Sequence, residues 1–137
     1  MITELGASDV ADAVALWERA GLTRPWNDAG GDFLRAVAGP ASVVLGARDG
    51  GELVGAAMVG DDGHRGWVYY LAVAEAARGR GLGRELMTAA EAWLSARGCP
   101  KIQFMVRTDN TVVLDFYEHL GYPHQDVVVR GRRLDEA

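Results

Sequence analysis

The sequence predicts an α/β (α+β) domain, built on a twisted, mixed but mostly antiparallel sheet with helices on both faces. Three observations carry this. Apolar, β-branched runs at 42–47, 52–59 and 66–73 are joined by the turn sequences Arg48-Asp49-Gly50-Gly51 and residues 60–65, so they read as an antiparallel meander. The third run leads through a glycine-rich turn into a long helical pattern ending near Arg97, and then into another strand at 101–106. Strand, helix, strand in that order implies a parallel pair with a right-handed crossover. Helical patterns before and after this core supply the covering layers.

Taken in order, residues 2–5 open as a short strand. Ser8 or Asp9 caps a helix to about Ala20, with Val10, Val14 and Trp17 on one face and Gly21 as its stop. A polar-aromatic loop, Arg24-Pro25-Trp26-Asn27-Asp28, runs into Gly30-Gly31; Asp32 then caps a second helix to Ala38, stopped by Gly39-Pro40. After the meander, Leu82, Leu86, Ala90, Trp93 and Leu94 form the apolar stripe of the long helix, and Gly98 and Pro100 end it. Thr108 or Asp109 caps a helix over 110–120, with Val113, Phe116, Tyr117 and Leu120 as its apolar side. A last strand is expected around 127–129, followed by a frayed tail.

The 137 residues suit one domain, 1–137, and 49% of them are hydrophobic, enough for a proper core. No apolar run approaches the ~20 residues of a membrane span. The start, Met1-Ile2-Thr3-Glu4, lacks the basic and apolar blocks of a signal peptide, and one cysteine, Cys99, excludes an internal disulfide. Both point to the cytoplasm. A net charge of −5 argues against a nucleic-acid partner. His64, His119 and His124 have no metal-ligand spacing, so no metal is expected.

The chemistry-bearing stretch is Arg78-Gly79-Arg80-Gly81-Leu82-Gly83-Arg84. Glycines at alternate positions let a backbone approach a ligand closely. The first amides of a helix have no partner within it and carry the positive end of its dipole, which makes an anion site for a pyrophosphate. A surface turn with solubilising arginines is the alternative. The spacing is neither Gly-x-Gly-x-x-Gly, since position 84 is Arg, nor a P-loop, since no Gly-Lys-Ser/Thr follows.

These residues resemble the GCN5-related N-acetyltransferases, which use acetyl-coenzyme A. The family signature, Arg/Gln-x-x-Gly-x-Gly/Ala, stands here as Arg78-Gly79-Arg80-Gly81-Leu82-Gly83. A second feature stands as Asn110, Phe116-Tyr117 and Gly121-Tyr122, and the element order matches over essentially the whole chain. The segments Arg24-Pro25-Trp26-Asn27-Asp28, Asp62-Gly63-His64-Arg65-Gly66 and Arg97-Gly98-Cys99-Pro100-Lys101 look like a narrower bacterial branch, the YpeA-type acetyltransferases, which implies no particular acceptor.

The resemblance implies that amides around Arg78, Gly79, Arg80, Gly81, Leu82, Gly83 and Arg84 hold the coenzyme pyrophosphate. It implies that the pantetheine arm pairs with Leu71, Ala72 and Val73 as an added strand, their amides also meeting the oxyanion. Asn110, Phe116 and Tyr117 complete the coenzyme site, and Tyr117 is the implied proton donor to the leaving thiolate; a core tyrosine and a plain helix cap are the alternatives for Tyr117 and Asn110. Trp26, Asn27, Asp28, Asp61, Asp62, His64, Tyr69 and Tyr70 are expected around the acceptor. Alternation sends Tyr69 and Tyr70 to opposite faces, so at most one lines the pocket. Candidates for the base are Asp61, Asp62, His64, Glu18 and Asp28. A related branch that acetylates ribosomal-protein alanine has a glutamate where Met105 stands, so its acid–base arrangement does not carry over. The expected activity is direct acetyl transfer to a primary amine of a small molecule, peptide or protein; a coenzyme A-binding module without catalysis is the alternative, because no base is evident. The resemblance also allows a homodimer.

Overall fold

A computed structural model describes residues 1–135, which divide into two compact units, Met1–Met105 and the residues from Val106 onward. In the first unit the order is β1 (Thr3–Glu4), a 3-10 turn (Ala7–Asp9), α1 (Val10–Arg19), α2 (Ala29–Ala38), β2 (Ser42–Asp49), β3 (Glu52–Asp61), β4 (Gly66–Val73), a second 3-10 turn (Glu75–Ala77), α3 (Leu82–Ala96) and β5 (Ile102–Phe104). The five strands lie in sequence order, antiparallel except for the parallel β4–β5 pair. This is the mixed sheet expected, with α3 as the crossover.

Alternation divides the sheet into two faces. On one, Ala13, Leu16 and Trp17 of α1 and Phe33 and Ala36 of α2 pack with Val44, Leu53, Ala56 and Ala72 into the main core. Gly55, next to Ala56, faces the other way, beneath Leu82 and Leu86 of α3; Gly66 lies beneath Leu94. Leu86, Met87, Ala90 and Leu94 are fully buried, whereas Trp93 is half-buried under the Arg97 guanidinium at 4.6 Å.

The second helix starts earlier than its sequence suggests. Asp28, not Asp32, is its cap: Asp28 Oδ1 accepts the Gly31 N–H at 3.0 Å. Gly30 and Gly31 therefore belong to the first turn of α2, because capping of the Gly31 amide offsets the poor helix propensity of glycine. β3 and β2 each run two residues further than their apolar stretches, since the hairpin pairing continues to Asp49↔Glu52 and Ser42↔Gly60.

The second unit contains α4 (Thr111–His119). Its cap is Asn110 rather than Thr108 or Asp109, with Asn110 Oδ1 accepting the Val113 N–H at 3.4 Å. No strand follows: among the described residues nothing beyond Phe104 is extended into a ladder, and Val127, Val128 and Val129 are 69%, 86% and 65% exposed. β-branched residues favour a strand only where a neighbour pairs their backbone and packs their side chains, and these valines have neither.

Candidate active site

Between Gly66↔Ile102 and Val68↔Phe104 the β4 and β5 strands pair, and there the pairing stops. From Tyr69 to Val73, β4 pairs with β3 only and with no strand on its other edge, among the described residues. An extended amide-bearing ligand can add to the open edge. At the same level β4 carries a bulge. Ala56 pairs with Ala72 but Met58 pairs with Tyr69, so Ala57 alone opposes both Tyr70 and Leu71.

The bulge breaks the alternation. Tyr70 has φ +56°, the one positive value outside glycine among the described residues. Its ring stacks on Trp17 (centroids 4.3 Å apart, planes 19° apart), and its hydroxyl donates to Asp32 Oδ2 at 2.8 Å. Tyr69 lies across from Met58, which packs against the same α1–α2 core. Cross-strand partners share a face, so Tyr69 and Tyr70 stand on one face of the sheet and not on opposite ones. Burial, then the hydrogen bond and charge of Asp32 and the charge of Asp28, push the Tyr70 phenol up to about 12.

Downstream, β4 ends in the glycine turn. Gly79 (φ +82°) and Gly81 (φ +76°) sit in the left-handed region, which explains two of the three glycines; Gly83 lies within the first turn of α3. Gly81 caps α3 without any side-chain hydrogen bond, and the first amide bonded back along the helix is that of Glu85, to the Gly81 carbonyl at 3.0 Å. The amides of Leu82, Gly83 and Arg84 thus have no carbonyl within α3, the arrangement that suits phosphate oxygens. Arg78 Nε donates to the Val73 carbonyl at 3.4 Å, tying the turn to the strand. Arg80 is engaged by Asp49 at 3.2 Å and by the Ala76 carbonyl, while Arg84 is exposed. Open strand edge and uncapped helix lie in one continuous run, and both suit a pantetheine arm and its pyrophosphate.

The expected acceptor residues fall into two groups. Glu18, Asn27 and Asp28 line an open hollow of about 490 Å³ between α1 and α2, with Val14, Pro25 and Gly30. Trp26 is 55% exposed. The second group surrounds the β3–β4 turn. Asp62 accepts from the Arg65 and His64 amides and from the Trp67 indole, contacts that hold its carboxyl below the usual range. Trp67 stacks on Tyr69 at 6.5 Å; partial burial, then the Asp62 charge, push the Tyr69 phenol up. Asp61 is paired with Arg97 at 3.5 Å and accepts the Gly63 N–H, and the His64 ring lies 3.5 Å from an Arg65 nitrogen. Of the carboxylates considered for the base, Asp28, Asp61 and Asp62 thus hold turns or caps in place, and Glu18 is exposed on the hollow.

In the second unit, Tyr117 is 8% exposed, with Phe116 and Tyr122 edge-on at 5.1 and 6.1 Å. Burial pushes its phenol up to about 12. Asn110 is the α4 cap and Phe116 is 38% exposed. Among the described residues no three His, Cys, Asp or Glu are grouped to hold a metal, and no helix is long and apolar enough to cross a membrane.

Sequence reasoning missed Asp32, assigned only as a helix cap, and Trp17, assigned only to the core; both contact Tyr70 in the bulge. No glycine marks the bulge in the sequence, so its signal was absent.

The mixed sheet that parts after the β4–β5 pairing and leads into α3 is accompanied by a match of residues 9–122 to the model of the Acetyltransferase (GNAT) family. The chain belongs to that family. It is similar in fold to the aminoglycoside N-acetyltransferase AAC(6')-Iy in complex with CoA (17% identity, TM-score 0.85, 98% of this chain and 94% of that one). It is similar likewise to a ribosomal-protein-alanine N-acetyltransferase from Brucella melitensis biovar Abortus 2308 (22%, 0.77, 98% and 99%) and to a putative acetyltransferase from Agrobacterium tumefaciens str. C58 (22%, 0.81, 97% and 99%).

Proposed function

We propose that the chain, as one acetyltransferase domain, transfers an acetyl group from acetyl-CoA to a primary amine by direct attack in a ternary complex. The carrying observation is the open β4 edge running into the glycine turn. Leu71, Ala72 and Val73 lie along the edge that β5 leaves open, where the pantetheine arm can add as a further strand. The uncapped amides of Leu82, Gly83 and Arg84 receive the pyrophosphate.

The amine nitrogen attacks the thioester carbonyl carbon, β4 amides meet the oxygen that gains charge, and the carbon–sulfur bond breaks. Tyr117 gives its proton to the departing sulfur; a phenol at about 12 is fully protonated at neutral pH and able to do so. Asn110 and Phe116 belong to the same coenzyme site by the family pattern. The acceptor enters beside Trp26, Asn27, Asp28 and Glu18 on one side and Asp61, Asp62, His64 and Tyr69 on the other. Their carboxylates favour a cationic amine, and Glu18 is the base we favour because it is the carboxylate not used as a cap or turn. The YpeA-type placement rests on the three loop segments around these residues.

The test is release of free thiol from acetyl-CoA across a panel of amines that includes aminoglycosides, alanine-initiated peptides and lysine peptides, with mass detection of the acetylated product. Turnover with one class and an acetyl-CoA thermal shift absent for NAD and ATP is the expected result. A thermal shift without turnover by any amine would replace this reading with a binding module.

A further inference from the structure

Tyr70 holds a backbone conformation that an L side chain disfavours. Two neighbours keep it there. The Trp17 indole, fully buried in α1, stacks on its ring, and Asp32 in the first turn of α2 accepts its hydroxyl. One residue of the β4 bulge is therefore tied to both helices of the acceptor-side layer. The next three residues are Leu71, Ala72 and Val73. Were Tyr70 to relax to ordinary extended backbone, the extra residue would be lost from the bulge and the following amides would turn to the other side.

We infer that Tyr70 is a positioning residue for acetyl transfer: through Trp17 and Asp32 it fixes the bulge, and so aims the β4 backbone amides at the thioester carbonyl. The inference rests on the proposed docking of acetyl-CoA along β4. Tyr70 acts through the backbone and not by touching the coenzyme or the amine.

Isotope-edited infrared spectroscopy of the full chain with [1-13C]acetyl-CoA reads those amides without an acceptor. In the wild type the bound carbonyl stretch moves to lower wavenumber. In Tyr70→Phe and Asp32→Ala that displacement falls by at least about half, as hydrogen bonding to the oxygen weakens. Asp32→Asn retains it, because the amide oxygen still accepts from the phenol. Acetyl-CoA affinity stays within about twofold throughout. With an acceptor in hand, kcat falls about tenfold in the first two variants while the acetyl-CoA KM holds, less than the roughly hundredfold or more that outright loss of an oxyanion donor costs. Full displacement in Tyr70→Phe would overturn the inference. If that variant does not fold, Asp32→Ala decides in the same way, since Asp28 and not Asp32 caps α2. A wild type that binds acetyl-CoA with no displacement would overturn the β4 docking itself, and the inference with it.

Discussion

Leu94 packs onto the bare backbone of Gly66: a Cβ placed there would stand 2.9 Å from Leu94 Cγ and closer still to its methyls. This contact seats the C-terminal half of α3 on β4, as Leu82 and Leu86 over Gly55 seat its N-terminal half. Leu94 is 2% exposed and has little room to yield. Gly66→Ala is expected to cost about 1–3 kcal/mol by overpacking. Gly60, paired with Trp67 across the same hairpin, is the control, since its nearest neighbours would lie 3.9 and 4.0 Å away. Gly60→Ala should stay within about 0.5 kcal/mol. Urea unfolding of the two variants measures the difference; equal stabilities would mean that Leu94 rearranges freely.

Gly81 makes a different prediction, because nothing lies within 4 Å of where its Cβ would go. The cost of Gly81→Ala is conformational: φ +76° disfavours an L residue by about 1–2 kcal/mol. Either the helix cap is strained or it shifts, and a shift moves the amides of Leu82, Gly83 and Arg84. Calorimetric titration should show acetyl-CoA binding weakened by about tenfold or more, well beyond any change at Gly50→Ala, a similarly left-handed glycine in the β2–β3 turn. Unchanged affinity would remove the turn from the coenzyme site.

Which parts of this molecule are legible in its sequence follows from what each residue type reports. The meander and α3 are legible because period and turn chemistry agree at every step. The glycine turn is legible because Gly79 and Gly81 mark backbone that other residues resist. The bulge is not legible: Tyr-Tyr-Leu-Ala-Val reads as uninterrupted strand, and Trp17 and Asp32, which contact the left-handed Tyr70, are both distant in sequence. Asp28 and Asp32 both fit the start of α2; Asp28 bonds Gly31, leaving Asp32 for Tyr70, and nothing local decides between them. Three valines at 127–129 look the same whether a strand pairs with them or not.

Alkaline stability offers a check on the buried phenols. Tyr70 and Tyr117 have folded values of about 12 against about 10 when unfolded. Below pH ~10 both states keep the proton and stability is unaffected. As pH rises from about 10 toward 12, the unfolded chain ionises first and stability falls, by at most about 1.4 kcal/mol per pH unit for Tyr117 and by less for the more exposed Tyr70. Denaturant midpoints between pH 8 and 11.5 should decline late and steeply, and Tyr117→Phe should flatten the decline. An identical slope in that variant would mean that Tyr117 is not desolvated.

Tyr117 also fixes the expected shape of the pH–rate profile. An attacking amine must be neutral, whereas a peptide α-amine has about a tenth of its population neutral at pH 7 and a lysine far less. The rate should therefore rise with pH as the acceptor loses its proton. A proton donor at about 12 keeps its proton across that range, so no falling limb should appear below pH ~10. Tyr117→Phe removes the proposed donor but not the ring, and the ring is what Phe116 and Tyr122 contact edge-on. Its kcat should fall about a hundredfold, the usual contribution of a positioned acid, while acetyl-CoA affinity changes little. The deficit should shrink with acyl donors whose thiol is more acidic, because a better leaving group needs protonation less. A constant deficit across donors, or a falling limb in the wild type near pH 8, would take Tyr117 out of the chemical step and leave it as a packed aromatic of α4.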